Sequence, residues 1–307
     1  MFSFFKKKSS AGVLGLEISD QGLSLAVAKV NDAGQLLITK SVSKKCEKSE
    51  YLEHIKAWIS ENNLSGFDCH VVLSSSQYQT FPVEKPQVED TELADAVRWK
   101  VKDLLDYPVD DAVIDVFEFP TDALRGRPEQ VSVVSAKKNV IQSLVNVIVD
   151  AGLNLLTIDV VDLALRNIAA RLIEAENQTA ALLYLRAGNG MIVLIKNNVL
   201  YFSRHFDFSL EALNDVEQQD NVIQHLALEV QRSFDYFDSQ MAQVPPQQLY
   251  LIGPTPQVPL ANMLGSSITA QVKVFDMSVC FGEQHKTTQD DINGLVAMGS
   301  ALKEGAL

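Results

Sequence analysis

The stretch Val13–Lys29, VLGLEISDQGLSLAVAK, decides how the rest of the chain is read. Two apolar runs of good strand propensity flank Ser19-Asp20-Gln21-Gly22, which reads as a β-hairpin. A second stretch, Ala181–Arg204, ALLYLRAGNGMIVLIKNNVLYFSR, repeats the plan: strand, glycine-bearing turn, strand, then a further turn at Asn197-Asn198. The second hairpin is a weak echo of the first, each followed by a run of strands and helices.

The bulk properties agree. The chain has 307 residues, with 47% hydrophobic and 21% charged residues, enough for two core-forming lobes or one large α/β domain in an ordinary globular protein. A formal net charge of -13 argues against a nucleic-acid surface, which needs clustered lysine and arginine. No apolar run is long enough to span a bilayer, and the opening residues lack the features of a secretion signal, so the expected location is cytoplasmic. Cys46, Cys69 and Cys280 are isolated, which predicts reduced thiols and neither a disulfide framework nor a zinc site.

In chain order, MFSFFKKKSS sets phenylalanines before lysines. It reads either as a frayed end or as a peripheral membrane contact that assists another anchor. Residues 1–12 are taken as this flexible basic and aromatic terminus. Gln35–Val42 continues the first sheet, Tyr51–Asn62 has helical spacing, and Cys69–Ser74 is a buried strand. The texture changes over residues 77–159. A proline-marked loop with Pro82 and Pro86 precedes a helix over Glu92–Leu105, with Thr91 as its expected N-cap and Pro108 beyond its end. Strands at Ala112–Phe119 and Gln130–Ser135, a helix over Lys138–Ala151 closed by Gly152, and a strand at Leu155–Val160 follow. This predicts an α/β insertion inside a first lobe of residues 13–178, which ends in a helix over Val161–Glu176. The second lobe is placed at residues 179–307. It holds helical sequence over Leu210–Asp238, strands at Leu249–Ile252 and Val272–Phe275, and a small-residue helix over Gly294–Lys303.

Leu226–Phe237, LALEVQRSFDYF, carries Glu229, Arg232 and Ser233 in the order E-x-x-R-S, and Gln248–Gly253 follows Pro245-Pro246 as a strand ending on glycine. TELADAVRWKVKDLLDYPVDDAVIDVFEF places Tyr107-Pro108 and Asp115 after the helix of the insertion. These features resemble PilM, the actin-like protein of type IV pilus assembly, and its relative FtsA. The FSFFKKK opening resembles the MshI-like members of mannose-sensitive haemagglutinin pilus biogenesis. The resemblance implies an actin-like (ribonuclease H-like) two-lobe fold with a PilM/FtsA-type inserted subdomain. It also implies a partner, a bitopic PilN-like inner-membrane protein whose cytoplasmic tail docks in a groove near Phe81–Val88 and Glu92–Leu105. Further pilus platform components and a place at the cytoplasmic face of the inner membrane come with it.

The same resemblance supplies a nucleotide pocket: Glu17, Ser19, Asp20 and Gln21 in the first hairpin, Gly188 in the second, Glu229 and Arg232 on the helix, and Gly253 after the late strand. The chain departs from the ATP-binding pattern there. Glu17 stands for an aspartate, Ser19 for a glycine and Ser24 for a lysine, while Tyr184 and Arg186 stand in place of a second D-x-G. Pro254 and Pro256 remove amide donors beside Gly253. The expectation is an eroded Mg-ATP site in a non-enzymatic scaffold, with no catalytic residue and no resident metal. The alternative is an ATP-dependent switch with Glu17, Asp20 and Glu229 as its polar groups. A sugar-kinase relative is a third reading, for which the sequence offers no base. Asp103, Asp106, Asp110 and Asp111 read as a solvated acidic face and not as a metal site.

Overall fold

A computed structural model describes residues 12–303 apart from 20, 21, 33, 174, 255–257, 283, 284 and 286. The aromatic and basic opening stretch lies outside the described residues. The chain divides into two compact units. The first is Met1–Ser74, Val140–Ala164 and Asn293–Leu307; the second is Ser75–Asn139 and Leu165–Ile292.

In the first unit, β1 (Val13–Ser19), β2 (Gly22–Val30) and β3 (Leu36–Lys44) form a meander, followed by α1 (Tyr51–Asn62) and β4 (Asp68–Leu73). The sheet is completed by β8 (Asn154–Val160) in the order β3-β2-β1-β4-β8, antiparallel on the meander side and parallel beyond β1. All seven residues of β1 are buried, as a central strand covered on both faces requires. One cover is α10 (Leu295–Ala301), every residue of which is buried. It reaches the sheet because Gly15 has no side chain: a Cβ there would sit 1.9 Å from the Ala297 carbonyl oxygen. At the same end Lys303 Nζ lies 2.9 Å from the buried Asp159 carboxylate. This returns the final helix to the first unit, although the sequence placed residues 179–307 together.

The second unit has two sheets. In the smaller, β5 (Tyr78–Glu84), β6 (Ala112–Glu118) and β7 (Gln130–Lys137) stand in the order β5-β7-β6, covered by α2 (Leu93–Val101). Strand β5 corrects the proline-marked loop: β5 is an edge strand, where the missing N–H of Pro82 is tolerated. Helix α2 starts later than expected. Thr91 lies in a single 3-10 turn, Asp90–Glu92, and Glu92 is the N-cap, without a side-chain cap bond. Both α3 (Lys138–Asp150) and α4 (Val161–Ala169) cross from one unit to the other. Helix α4 stops short of its expected end in turns at Ala170–Leu172.

The larger sheet contains β9 (Thr179–Arg186), β10 (Gly188–Lys196) and β11 (Val199–Phe208). After α5 (Leu210–Asn214) and α6 (Gln219–Ser239) come β12 (Gln248–Ile252), α7 (Leu260–Gly265), β13 (Gln271–Val274), α8 (Met277–Phe281) and α9 (Gln289–Asn293). The order is β11-β10-β9-β12-β13. Asn197 and Asn198 both take left-handed dihedrals in the turn between β10 and β11, a conformation asparagine tolerates. The core is built by Leu226, Val230, Phe234 and Phe237 of α6 against Leu183, Ile192 and Leu194. Ala123 and Phe119 of the insertion join it, so residues 75–139 belong with this unit and not with the first hairpin as expected. Among the described residues no helix is long and apolar enough to cross a membrane.

Candidate functional site

The first hairpin brings Glu17 and Ser19 to the end of β1, while Asp20 and Gln21 lie outside the described residues. Glu17 is buried and stands opposite Ser24 on β2. The Ser24 hydroxyl lies 2.9 Å from the Asn293 carbonyl, to which it donates, and 3.0 Å from the Ser43 hydroxyl. The residue at the lysine position is thus an internal sheet fastener. Ser19 is held from below: the Tyr51 hydroxyl donates to its carbonyl at 2.7 Å.

In the second unit Ala187-Gly188 forms the β9–β10 turn, with Gly188 at φ +91, which glycine adopts without strain. The Arg186 guanidinium lies 5.9 Å from the Tyr184 ring centroid, a cation–π pair on one strand. Gly253 has a packing explanation of its own. A Cβ there would approach the Leu185 Cβ to 2.9 Å, so β12 leaves the sheet beside β9 only with glycine at that step.

On α6, Glu229 and Arg232 meet as their i, i+3 spacing predicts, with Arg232 Nη1 3.1 Å from Glu229 Oε1. The sequence reading missed the third member. Arg204, on β11, brings Nη1 to 3.7 Å from Glu229 Oε2 and lies over the Phe202 ring. The available signal was a lone arginine inside the strand-forming run VLYFSRHF. A carboxylate only 7% exposed needs such a partner, because desolvation without one costs several kcal/mol. Buried Ser233 donates to the Glu229 carbonyl at 2.7 Å and fixes the same helical turn.

A pocket of about 350 Å³ opens beside Gly253, lined by Leu185, Leu251, Leu260, Phe275 and Ile292 among others. None of its described lining residues carries a charge, so it suits an apolar group better than a polyphosphate. Among the described residues no group of three or more histidine, cysteine, aspartate or glutamate side chains is arranged to hold a metal ion. The cysteines are all free thiols, and burial pushes Cys69 and Cys280 up to about 12, away from nucleophilic chemistry.

The insertion is fastened to the larger sheet by polar groups. Asp122 accepts from the Tyr201 hydroxyl at 2.7 Å and from Lys196 at 3.2 Å, and Lys196 also reaches Gln243. Burial, then the Asp122 bond and charge, push the Tyr201 hydroxyl above its ordinary range. Within the insertion, Val83, Leu93, Val97 and Val101 form its core together with Val131 and Val133, and Phe81 packs against it. Most of the apolar side chains expected to line a groove are therefore consumed. Val88, Trp99 and Leu104 remain exposed.

Neither a protein-family model nor a curated protein matches the sequence. Solved structures do. The chain aligns over 95% of its length with 98% of a chain in a PilM–PilN type IV pilus biogenesis complex, at 21% identity and a TM-score of 0.77. The cytoplasmic domain of EpsL, an inner-membrane component of the Vibrio cholerae type II secretion system, aligns at 14% identity and a TM-score of 0.57, over 96% of each chain. A Bacteroides thetaiotaomicron protein of unknown function with an actin-like ATPase fold gives 14% and 0.52, covering 90% of this chain and 94% of that one. Two sheets of matching order, each opened by a hairpin, with an α/β insertion between β4 and β8, give this chain the actin-like ATPase fold.

Proposed function

We propose that this protein is a non-enzymatic scaffold of a type IV pilus inner-membrane assembly platform, held at the cytoplasmic face of the membrane by the cytoplasmic tail of a bitopic PilN-like protein. The observation that carries the reading is the end-to-end alignment with a chain of the PilM–PilN complex. The mannose-sensitive haemagglutinin system is the branch that the sequence resemblance favours.

The scaffold reading is preferred to the ATP switch because polar groups at the expected pocket positions already have partners inside their own units. Ser24 is spent on Asn293, Arg186 lies on Tyr184, and Glu229 is held between Arg204 and Arg232. A ribose or a phosphate entering either half would have to break these contacts before making its own. Mg-ATP therefore fits the described residues poorly, and no step is assigned to it.

Isothermal titration of the full chain with Mg-ATP, with a PilN-like tail peptide, and with both tests the reading. The expected result is micromolar peptide binding, unchanged by ATP, and no ATP heat. ATP binding that alters peptide affinity would replace the scaffold with the switch. No binding of either ligand would leave the fold without this function.

A further inference from the structure

The larger sheet of the second unit ends on a strand with one open side. Strand β13 is bonded to β12 alone, in parallel, and is outermost in the order β11-β10-β9-β12-β13. The N–H groups of Gln271 and Phe275 donate to the Gln247 and Leu251 carbonyls, both at 2.9 Å. Alternation along the strand therefore turns the N–H and C=O of Val272 and Val274 the other way, out of the sheet edge. Among the described residues neither valine makes a backbone hydrogen bond on that side. An edge in this state is a template for an added strand, and β13 carries no proline to block one.

The open edge runs into the apolar pocket. Val274 and Phe275 belong to its wall, together with Leu251 on β12 and Leu260 and Ala261 on α7. Val274 is 65% exposed and stands at the mouth, whereas Leu260 and Phe275 are buried. Val272 packs into the core that holds Leu260 and Leu264, so the face of β13 shared by Val272 and Val274 is the α7 face. A side chain on that face of an added strand would lie beside Val274, over the mouth. The pocket holds about 350 Å³ and has no charged residue in its described lining. That is the small end of ligand cavities, which run from about 300 to 1,000 Å³, and it suits a large apolar side chain.

We propose that the β13 edge and this pocket form one docking surface for an extended segment of a partner protein. The segment pairs its main chain with Val272 and Val274 and seats a leucine- or phenylalanine-sized side chain in the pocket.

The edge itself decides the occupant. Its outward groups alternate donor and acceptor at the strand repeat, which a peptide main chain matches and a lipid tail does not. A second copy fits worse. Pairing β13 with its own symmetry mate through Val272 and Val274 sets Lys273 directly against the other Lys273. That is a non-hydrogen-bonded pair, where side chains of like charge come closest. The surface lies on a different sheet from Phe81–Leu105, and the proposal does not rest on the pilus reading.

The test titrates the full chain into a short, end-capped, fluorescently labelled peptide of alternating threonine and leucine with one central phenylalanine, read by polarisation. Saturable binding is expected, and serine in place of the phenylalanine should weaken it about tenfold. Val274→Pro removes an outward N–H that β12 does not use, a change an edge strand tolerates, and Ala261→Leu fills the pocket. Each should weaken binding about tenfold, with urea denaturation confirming that both variants remain folded. No saturable binding up to millimolar concentration, or either variant binding as tightly as the parent, would overturn the proposal. A concentration-dependent dimer of the free chain that Val274→Pro abolishes, seen by sedimentation, would overturn it in favour of a second copy.

Discussion

The two larger sheets have one ladder and two kinds of cover. Each runs antiparallel, antiparallel, parallel, parallel across five strands, and each shifts register once within its outer hairpin, at Val27/Ala28 in one and Leu194/Ile195 in the other. Over the first lies α10, a helix of mostly small residues that meets the backbone of β1 at Gly15. Over the second lies α6, which interlocks through Phe234, Phe237, Leu226 and Val230. The same hydrogen-bond ladder is thus stabilised by backbone proximity in one unit and by side-chain volume in the other.

Glycines separate the two modes most sharply. Gly15→Ala places a methyl against a backbone oxygen that cannot turn away, and is expected to cost about 4 kcal/mol or more. Gly190→Ala, on β10 of the second sheet, meets the ring of Phe206 on β11, which can rotate, and should cost about 1 kcal/mol. Urea denaturation of the two variants measures the difference. Equal losses would mean that the Ala297 carbonyl over Gly15 gives way as readily as the Phe206 ring beside Gly190.

The ion pairs give the next effect. Lys303→Met strands Asp159, whose side chain is 2% exposed, and is expected to cost about 2 kcal/mol, below the usual range for buried pairs because Lys303 is itself 29% exposed. Lys196→Met in the second unit leaves Asp122 half open to water and still bonded to Tyr201, and should cost about 1 kcal/mol. A double-mutant cycle on each pair isolates the coupling.

The smallest effect is a pH dependence confined to the first unit. His70 is buried on β4 with Nδ1 2.6 Å from the Thr157 hydroxyl, and burial, followed by the charge of Lys303, holds it below its ordinary pKa. Asp159 and Asp68 oppose that shift from the neighbouring positions. Below about pH 6.5 the unfolded histidine takes up a proton that the folded one refuses, so stability falls as pH drops toward the folded pKa. His70→Gln should flatten this part of the acid limb in chemical unfolding at pH 7.5 and 5.5. An unchanged slope would mean that carboxylates alone set it.

The strands and helices of both sheets were legible because apolar runs and helical spacing are local signals. Strand β5 was not, since Pro82 and Pro86 read as breakers and only the tertiary pairing makes β5 an edge. The attachment of α10 to the first unit was hidden for a different reason: Gly15 and Ala297 are complementary only across nearly the whole chain. The site was half legible. The Glu229–Arg232 pair follows from helix spacing, whereas Arg204 reaches Glu229 from another element. The alternation of β11 carries no mark of that contact.

The place of α10 has a consequence for birth of the chain on the ribosome. Domains ordinarily complete themselves in the order they are made. Here the second unit ends at Ile292, while the first waits for residues 293 onward. Its leading hairpin, the earliest of the described elements, must stay without its covering helix until every described strand has been synthesised. Chaperone demand and sensitivity to premature termination should therefore concentrate on the earliest part of the molecule, because its last helix is what closes it.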